Sequence, residues 1–159
     1  MDTLTHLIGG DAVTGERTLD VLNPATAQAV RRLPLADAAI VQGAIAAASD
    51  ALPAWRAMPP AKRAQVMYRF KTLLERDAQE ICALISEEHG KVLDDAMGEL
   101  KRGIENVEYA CGVPELLKGE YSHNAGPSID TWSNHQPLGI VAGITPFNFP
   151  AMGPLWMFP

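Results

Sequence analysis

Several chemistries find no foothold in this chain. Its 159 residues hold two cysteines, Cys82 and Cys111, with no CxxC pair, and four histidines, His6, His89, His123 and His135, with none of the paired spacings of a zinc site. No metal centre or disulfide framework is expected, and both thiols read as buried structural residues of a reducing compartment. No basic run occurs, and 13 Lys and Arg against 19 Asp and Glu leave a formal charge of -6, so nucleic acid and anionic membranes make poor partners. No apolar stretch approaches a membrane span, and no apolar leader with a basic flank opens the chain. Internal repeats, low-complexity tracts and flexible linkers are missing, as is any GxGxxG phosphate loop. What remains is 47% hydrophobic and 20% charged, enough for an ordinary core, and is expected in the cytoplasm.

The opening reads as β structure. Short extended runs, His6 to Ile8, Arg17 to Leu22 and Ala29 to Leu33, alternate with the turn chemistry of Gly9-Gly10-Asp11 and Asn23-Pro24-Ala25-Thr26. Asp37 then suits the cap of a helix with Ile40, Val41, Ala44, Ile45, Ala48 and Leu52 on one face, ending before Pro53. Pro59-Pro60 opens a second helix that buries Val66, Met67, Phe70, Leu73 and Leu74. A third begins at Asp77, with Glu80 completing a capping-box variant, turns Ile81, Leu84 and Ile85 inward and stops at Gly90. A fourth runs from about Asp94 to Cys111, with Leu100, Ile104, Val107 and Cys111 on its seam and Arg102, Glu105, Asn106 and Tyr109 away from it.

From Gly119 the pattern changes to a two-stranded ribbon, Glu120 to Asn124 and Ile129 to Gln136, around a turn at Ala125-Gly126-Pro127. An isolated ribbon is marginal in water, so this one is expected to pair with another sheet or subunit, aided by Tyr121 and Trp132. Leu138 to Ile144 is a nearly continuous apolar run of the kind found in buried parallel strands. It ends in a turn bracketed by Pro146 and Pro150 that carries one amide, Asn148. That asparagine either closes the turn or offers a polar group where an α/β site forms, at the carboxyl end of a strand. The dense apolar stretch Leu155 to Pro159 would leave an uncovered patch, so the segment is expected to be the front part of something longer or to rely on a partner.

The stretch Gln136-Pro137-Leu138-Gly139-Ile140-Val141-Ala142-Gly143-Ile144-Thr145-Pro146-Phe147-Asn148-Phe149-Pro150 resembles the aldehyde dehydrogenase superfamily, where a strand leads into a Pro-aromatic-Asn-Phe-Pro turn. The Thr-Pro-Phe-Asn-Phe-Pro form, with Ala151-Met152 and Leu155-Trp156-Met157-Phe158-Pro159 after it, is similar to the CoA-acylating methylmalonate-semialdehyde (malonate-semialdehyde) dehydrogenases. Asn23-Pro24-Ala25-Thr26, Glu88-His89-Gly90-Lys91 and Arg102-Gly103-Ile104-Glu105-Asn106-Val107-Glu108 agree with it in order. Gly153 departs from the pattern, which would place a branched aliphatic there, and glycine near a helix start loosens it by up to about 1 kcal/mol.

The resemblance implies an α/β fold: the amino-terminal part of an aldehyde dehydrogenase, with helices packed on the start of a parallel sheet and a protruding antiparallel β-ribbon. Residues 1–118 would belong to the nucleotide-binding domain, 119–137 to an oligomerisation ribbon, and 138–159 to the first buried strand and the oxyanion turn. It implies Asn148 as oxyanion donor, and Ile144, Thr145 and Phe147 along the nicotinamide half of NAD. It also implies CoA as co-substrate and a homo-oligomer, dimeric or tetrameric. Arg102 is open between two readings: an anchor for the substrate's distal carboxylate, as its place in the semialdehyde subgroup implies, or an intra-helix pair with Glu99 or Glu105. Neither cysteine matches the family's nucleophile, so the segment alone is expected to be inactive. The expected reaction is the NAD-dependent oxidation of methylmalonate or malonate semialdehyde to an acyl-CoA. A hydrolytic semialdehyde dehydrogenase and a non-catalytic assembly fragment stand as alternatives.

Overall fold

The structure, a computed structural model, describes residues 2–159. Its amino-terminal part, up to Pro34, is extended. Strands β1 (Asp2–Thr3), β4 (Thr18–Asn23) and β5 (Gln28–Pro34) form a sheet in the order β1-β5-β4, with β1 parallel and β4 antiparallel to β5. Strands β2 (His6–Ile8) and β3 (Asp11–Val13) form a separate hairpin. Its two-residue turn has positive φ at Gly9 and Gly10, the backbone that twists a tight hairpin correctly.

Helix α1 (Ala38–Ala57) starts where expected, the Asp37 carboxylate accepting a hydrogen bond from the Ile40 amide at 2.8 Å. It does not end before Pro53 but carries that proline inside it. Its apolar face is not buried either: Ile40, Val41, Ala44, Ile45 and Ala48 line an open groove with His6, Leu7, Ile8, Ile140 and Val141.

The core lies among the next three helices. Helix α2 (Pro60–Arg76), α3 (Ala78–His89) and α4 (Leu93–Cys111) bury Leu74, Cys82, Ile85, Ala96, Leu100 and Val107 together with Leu155. Leu73 and Leu84, expected inside, are exposed, while Ala64 and Cys82 take inward places. Neighbouring apolar residues cannot all share one helix stripe, and the shorter side chains sit where helices approach closely. The Asp77 side chain makes no cap; it forms a paired contact with the Arg76 guanidinium at 2.7 Å instead. Gly90 stops α3 in the left-handed conformation, with φ +81. A short helix α5 (Val113–Leu116) follows α4.

The ribbon forms as β6 (Tyr121–Gly126) and β7 (Ile129–Trp132), with Tyr121 opposite Trp132. Its turn is Pro127-Ser128 and begins two residues later than expected, and its second strand ends at Trp132 rather than Gln136. The run Leu138 to Ile144 corrects a further expectation. It pairs with no strand among the described residues, and Leu138 and Ile144 are 96% and 93% exposed. An apolar sequence supplies one face of a strand but not the neighbouring backbone whose N–H and C=O groups would make it one. Helix α6 (Met152–Met157) ends the described fold, with Met152, Gly153 and Leu155 buried and Trp156 exposed.

Candidate active-site turn

The Pro146-to-Pro150 turn is held from below by α4 and by the loop that precedes it. Glu99 is completely buried, and one of its oxygens accepts the amides of Ala151 at 2.8 Å and Met152 at 3.1 Å, the first donors of α6. Its other oxygen meets the Lys91 ammonium at 2.6 Å. The same ammonium donates to the main-chain carbonyl of Asn148 at 3.0 Å and lies 4.4 Å from the centre of the Phe149 ring. Burial, the largest influence, pushes the Glu99 carboxyl upward. The Lys91 ammonium and the amides of Met152 and Ala151 outweigh it and hold the group below the usual carboxylate range.

One stripe of α4 docks α6. Glu99 binds its start, Gly103 lets it approach, and Asn106 donates to the Leu155 carbonyl at 2.8 Å near its end. A Cβ on Gly103 would lie 2.6 Å from Leu155 Cδ1. Asn106, expected to fall away from the packed face, is thus part of a second one. Gly153 does not loosen the turn: a Cβ there would stand 3.3 Å from both Pro146 Cδ and Thr145 Cβ, so its small size permits this close approach.

Asn148 lies on the exposed rim of the turn, and its side-chain amide bonds no other described residue. Ile144 and Phe147 beside it are almost fully exposed and Thr145 half-buried. Phe147 also walls an open groove of about 300 Å³ that reaches Ile81, Leu84 and His89 of α3. Arg102 pairs with neither Glu99 nor Glu105; its guanidinium lies 5.4 Å from the centre of the Phe149 ring, on the residue next to Asn148. Glu99, the partner considered for it, is taken by Lys91. The structure therefore gathers Arg102, Asn148 and its apolar neighbours into one region.

Two short motifs far apart in sequence meet behind this region. A Cβ on Gly90 would stand 2.9 Å from Pro24 Cγ, and Arg31 of β5 bridges Glu87 and Glu88 of α3 at 2.7 and 2.9 Å. Lys91, one residue further, is thereby aimed at the turn. Reasoning from sequence missed both Lys91 and Glu99 as site residues. A signal for Glu99 existed: it stands between Ala96 and Gly103 on a row of buried positions, where a carboxylate must find partners.

Neither cysteine is built as a nucleophile. Cys82 and Cys111 are buried and free, and burial pushes both thiols up, Glu99 adding to the effect at Cys82 and Glu108 at Cys111. Among the described residues no cluster of His, Cys, Asp and Glu could hold a metal, and no helix is long and apolar enough to cross a membrane.

Residues 12–159 match the sequence profile of the aldehyde dehydrogenase family, and the chain belongs to that family. It is 66% identical, over its whole length, to the malonate-semialdehyde dehydrogenase of Pseudomonas aeruginosa, of which it covers 32%. It is 44% identical over 97% of its length to the acylating mitochondrial methylmalonate-semialdehyde dehydrogenase of Arabidopsis thaliana, covering 26% of that protein. In three dimensions it superposes on the methylmalonate-semialdehyde dehydrogenase of Oceanimonas doudoroffii with a TM-score of 0.96 at 64% identity, covering 99% of this chain and 33% of that one. A Sinorhizobium meliloti protein described as a candidate methylmalonate-semialdehyde dehydrogenase and solved with NAD gives 0.94 at 44%, covering 98% and 32%. The chain spans about a third of the length of the curated relatives it matches. The mixed α/β arrangement is that of the amino-terminal part of these folds.

Proposed function

We propose that this chain supplies the oxyanion-binding turn of an aldehyde dehydrogenase that oxidises malonate or methylmalonate semialdehyde to an acyl-CoA, through a cysteine thioester, with NAD. The observation that carries the reading is the Asn148 amide, exposed and without a protein partner among the described residues, on a turn whose backbone is bound at Asn148 and just after it by the buried Lys91–Glu99 pair. When a thiolate attacks an aldehyde, negative charge develops on the carbonyl oxygen, and a neutral amide already in place stabilises it without reorganising. The names of the relatives support the semialdehyde as substrate class.

Arg102 is proposed to receive the carboxylate at the far end of the substrate. It is free of acidic partners among the described residues and stacked beside the asparagine, and a guanidinium fixes a carboxylate by two parallel bonds. Ile144, Thr145 and Phe147 offer an uncovered, largely apolar surface on which a flat ring could rest, which fits a nicotinamide. When bound, that cofactor takes the hydride. The nucleophile would come from elsewhere in the complete enzyme, since Cys82 and Cys111 are unsuited to it, and the segment alone would be inactive. We further propose a cytoplasmic homo-oligomer in which residues 119–137 meet another subunit.

The test is kinetic. In the complete enzyme Asn148→Ala is expected to lower kcat about 100- to 1,000-fold while NAD still binds. An unchanged kcat overturns the reading, and turnover indifferent to CoA assigns the hydrolytic reaction in place of the acylating one. For the segment by itself an assembly role is the second reading. The exposure of Tyr121, Trp132, Leu138, Trp156 and Phe158 favours it.

A further inference from the structure

Lys91 and Glu99 take no part in the roles assigned so far, yet their contacts fall on Asn148 and on the residues that follow it. Lys91 holds the carbonyl of Asn148 itself, and Glu99 holds the amides of Ala151 and Met152, three and four residues later. Carboxylate, carbonyl and aromatic face surround one ammonium, of which the side chain is only 12% exposed. We propose that Lys91 and Glu99 are positioning residues that set where the Asn148 amide stands relative to the reacting carbonyl; this rests on the oxyanion reading above.

Stability alone is a weak reason for such a pair, because a buried ion pair can often be replaced by apolar residues of similar volume without loss. What apolar residues cannot do is bind three particular main-chain groups. Other contacts seat α6, through Gly153 on Pro146 and Asn106 on the Leu155 carbonyl, but Pro146, Phe147 and Asn148 themselves are exposed, and α6 is too short to hold its own shape. Lys91 is itself placed from behind, by the left-handed stop at Gly90 packed on Pro24. The path runs from the Pro24 turn through Gly90 and Lys91 to Asn148.

The closing experiment compares the parent with the paired variant Lys91→Met with Glu99→Gln, in the complete enzyme, alone and on the Asn148→Ala background. The pair takes away the ammonium that holds the Asn148 carbonyl and the negative charge that strengthens the two amide bonds, while the carbonyl oxygen left by Glu99→Gln is a weaker acceptor for those amides that still lets the chain fold, as a melting curve checks. A displacement of the order of 1 Å costs up to about 100-fold, so kcat is expected to fall about 10- to 100-fold with little change in KM for the aldehyde. On the Asn148→Ala background no further fall is expected, because the effect passes through that amide. An unchanged kcat, or the same fold-loss on both backgrounds, overturns the proposal. If Asn148→Ala alone leaves kcat intact, the oxyanion reading fails independently. The crystal structure of the paired variant then decides the positioning: a displaced 146–151 turn upholds it, and an unmoved turn overturns it.

Discussion

Glu99 is the one charged side chain among the described residues that is withdrawn entirely from solvent. Removing it strands the Lys91 charge and two amides, so Glu99→Ala is expected to lower stability by about 3–5 kcal/mol, measured by urea unfolding. The pH dependence has a definite sign. The carboxyl is held below the usual range in the folded chain, so its stabilisation is complete above the unfolded pKa and is lost as pH falls through the folded one. As pH falls below the ordinary carboxylate range the parent should lose more stability than Glu99→Gln, whose side chain does not titrate. Asp77 and Asp130, also held low by Arg76 and by Tyr121, titrate alike in both proteins and cancel in the difference. Equal acid slopes would remove Glu99 from this role. At this scale Asn148 and Arg102 were legible as site residues, whereas Lys91, visible only as the end of a motif, and Glu99 were not. Their importance lies in backbone groups 57, 52 and 53 positions away, which no local pattern reports.

Helix α6 shows how an element that local propensity would not sustain is held by another. Six residues cannot nucleate a helix alone, and Glu99, Gly103 and Asn106 of α4 supply its first acceptor, its room and a donor for its carbonyl end. Two glycines of α4 therefore respond oppositely to alanine. At Gly98 an added Cβ meets nothing within 4 Å, so Gly98→Ala should stabilise by up to about 1 kcal/mol. At Gly103 it would stand 2.6 Å from Leu155 Cδ1 and 3.1 Å from Leu155 Cβ, so Gly103→Ala should destabilise by about 1–3 kcal/mol. Denaturant midpoints check both, and matching signs would contradict this packing. Helices α2, α3 and α4 were legible from three-to-four spacing because their apolar stripes meet one another. The turn of the β2–β3 hairpin was legible because two adjacent glycines permit its backbone. The continuation of α1 through Pro53 was not, since the proline removes one donor without forbidding the helix around it.

Across the whole molecule the balance of burial is uneven. The α2–α3–α4 core is closed, while Leu138, Ile144, Phe147 and Phe158 face solvent together with all three tryptophans, Trp55, Trp132 and Trp156. Such surface is normally covered, so the chain alone should take up apolar dyes and self-associate as its concentration rises, with all three indoles open to acrylamide. Sedimentation velocity and fluorescence quenching measure this. A monomer at high concentration with Trp156 shielded would contradict both the exposed face and the assembly reading.

The sequence by itself determined the class of this protein: the ordered motifs mark the family, and helical periodicity places the core, because both are carried by neighbours along the chain. Tertiary structure alone decided what stands beneath Asn148, which glycines are tight, and that the run Leu138 to Ile144 has no strand beside it among the described residues. Each of those depends on a backbone group or a surface brought from elsewhere in the fold. Pairing and clash are properties of two segments at once, and a pattern within one segment cannot contain them.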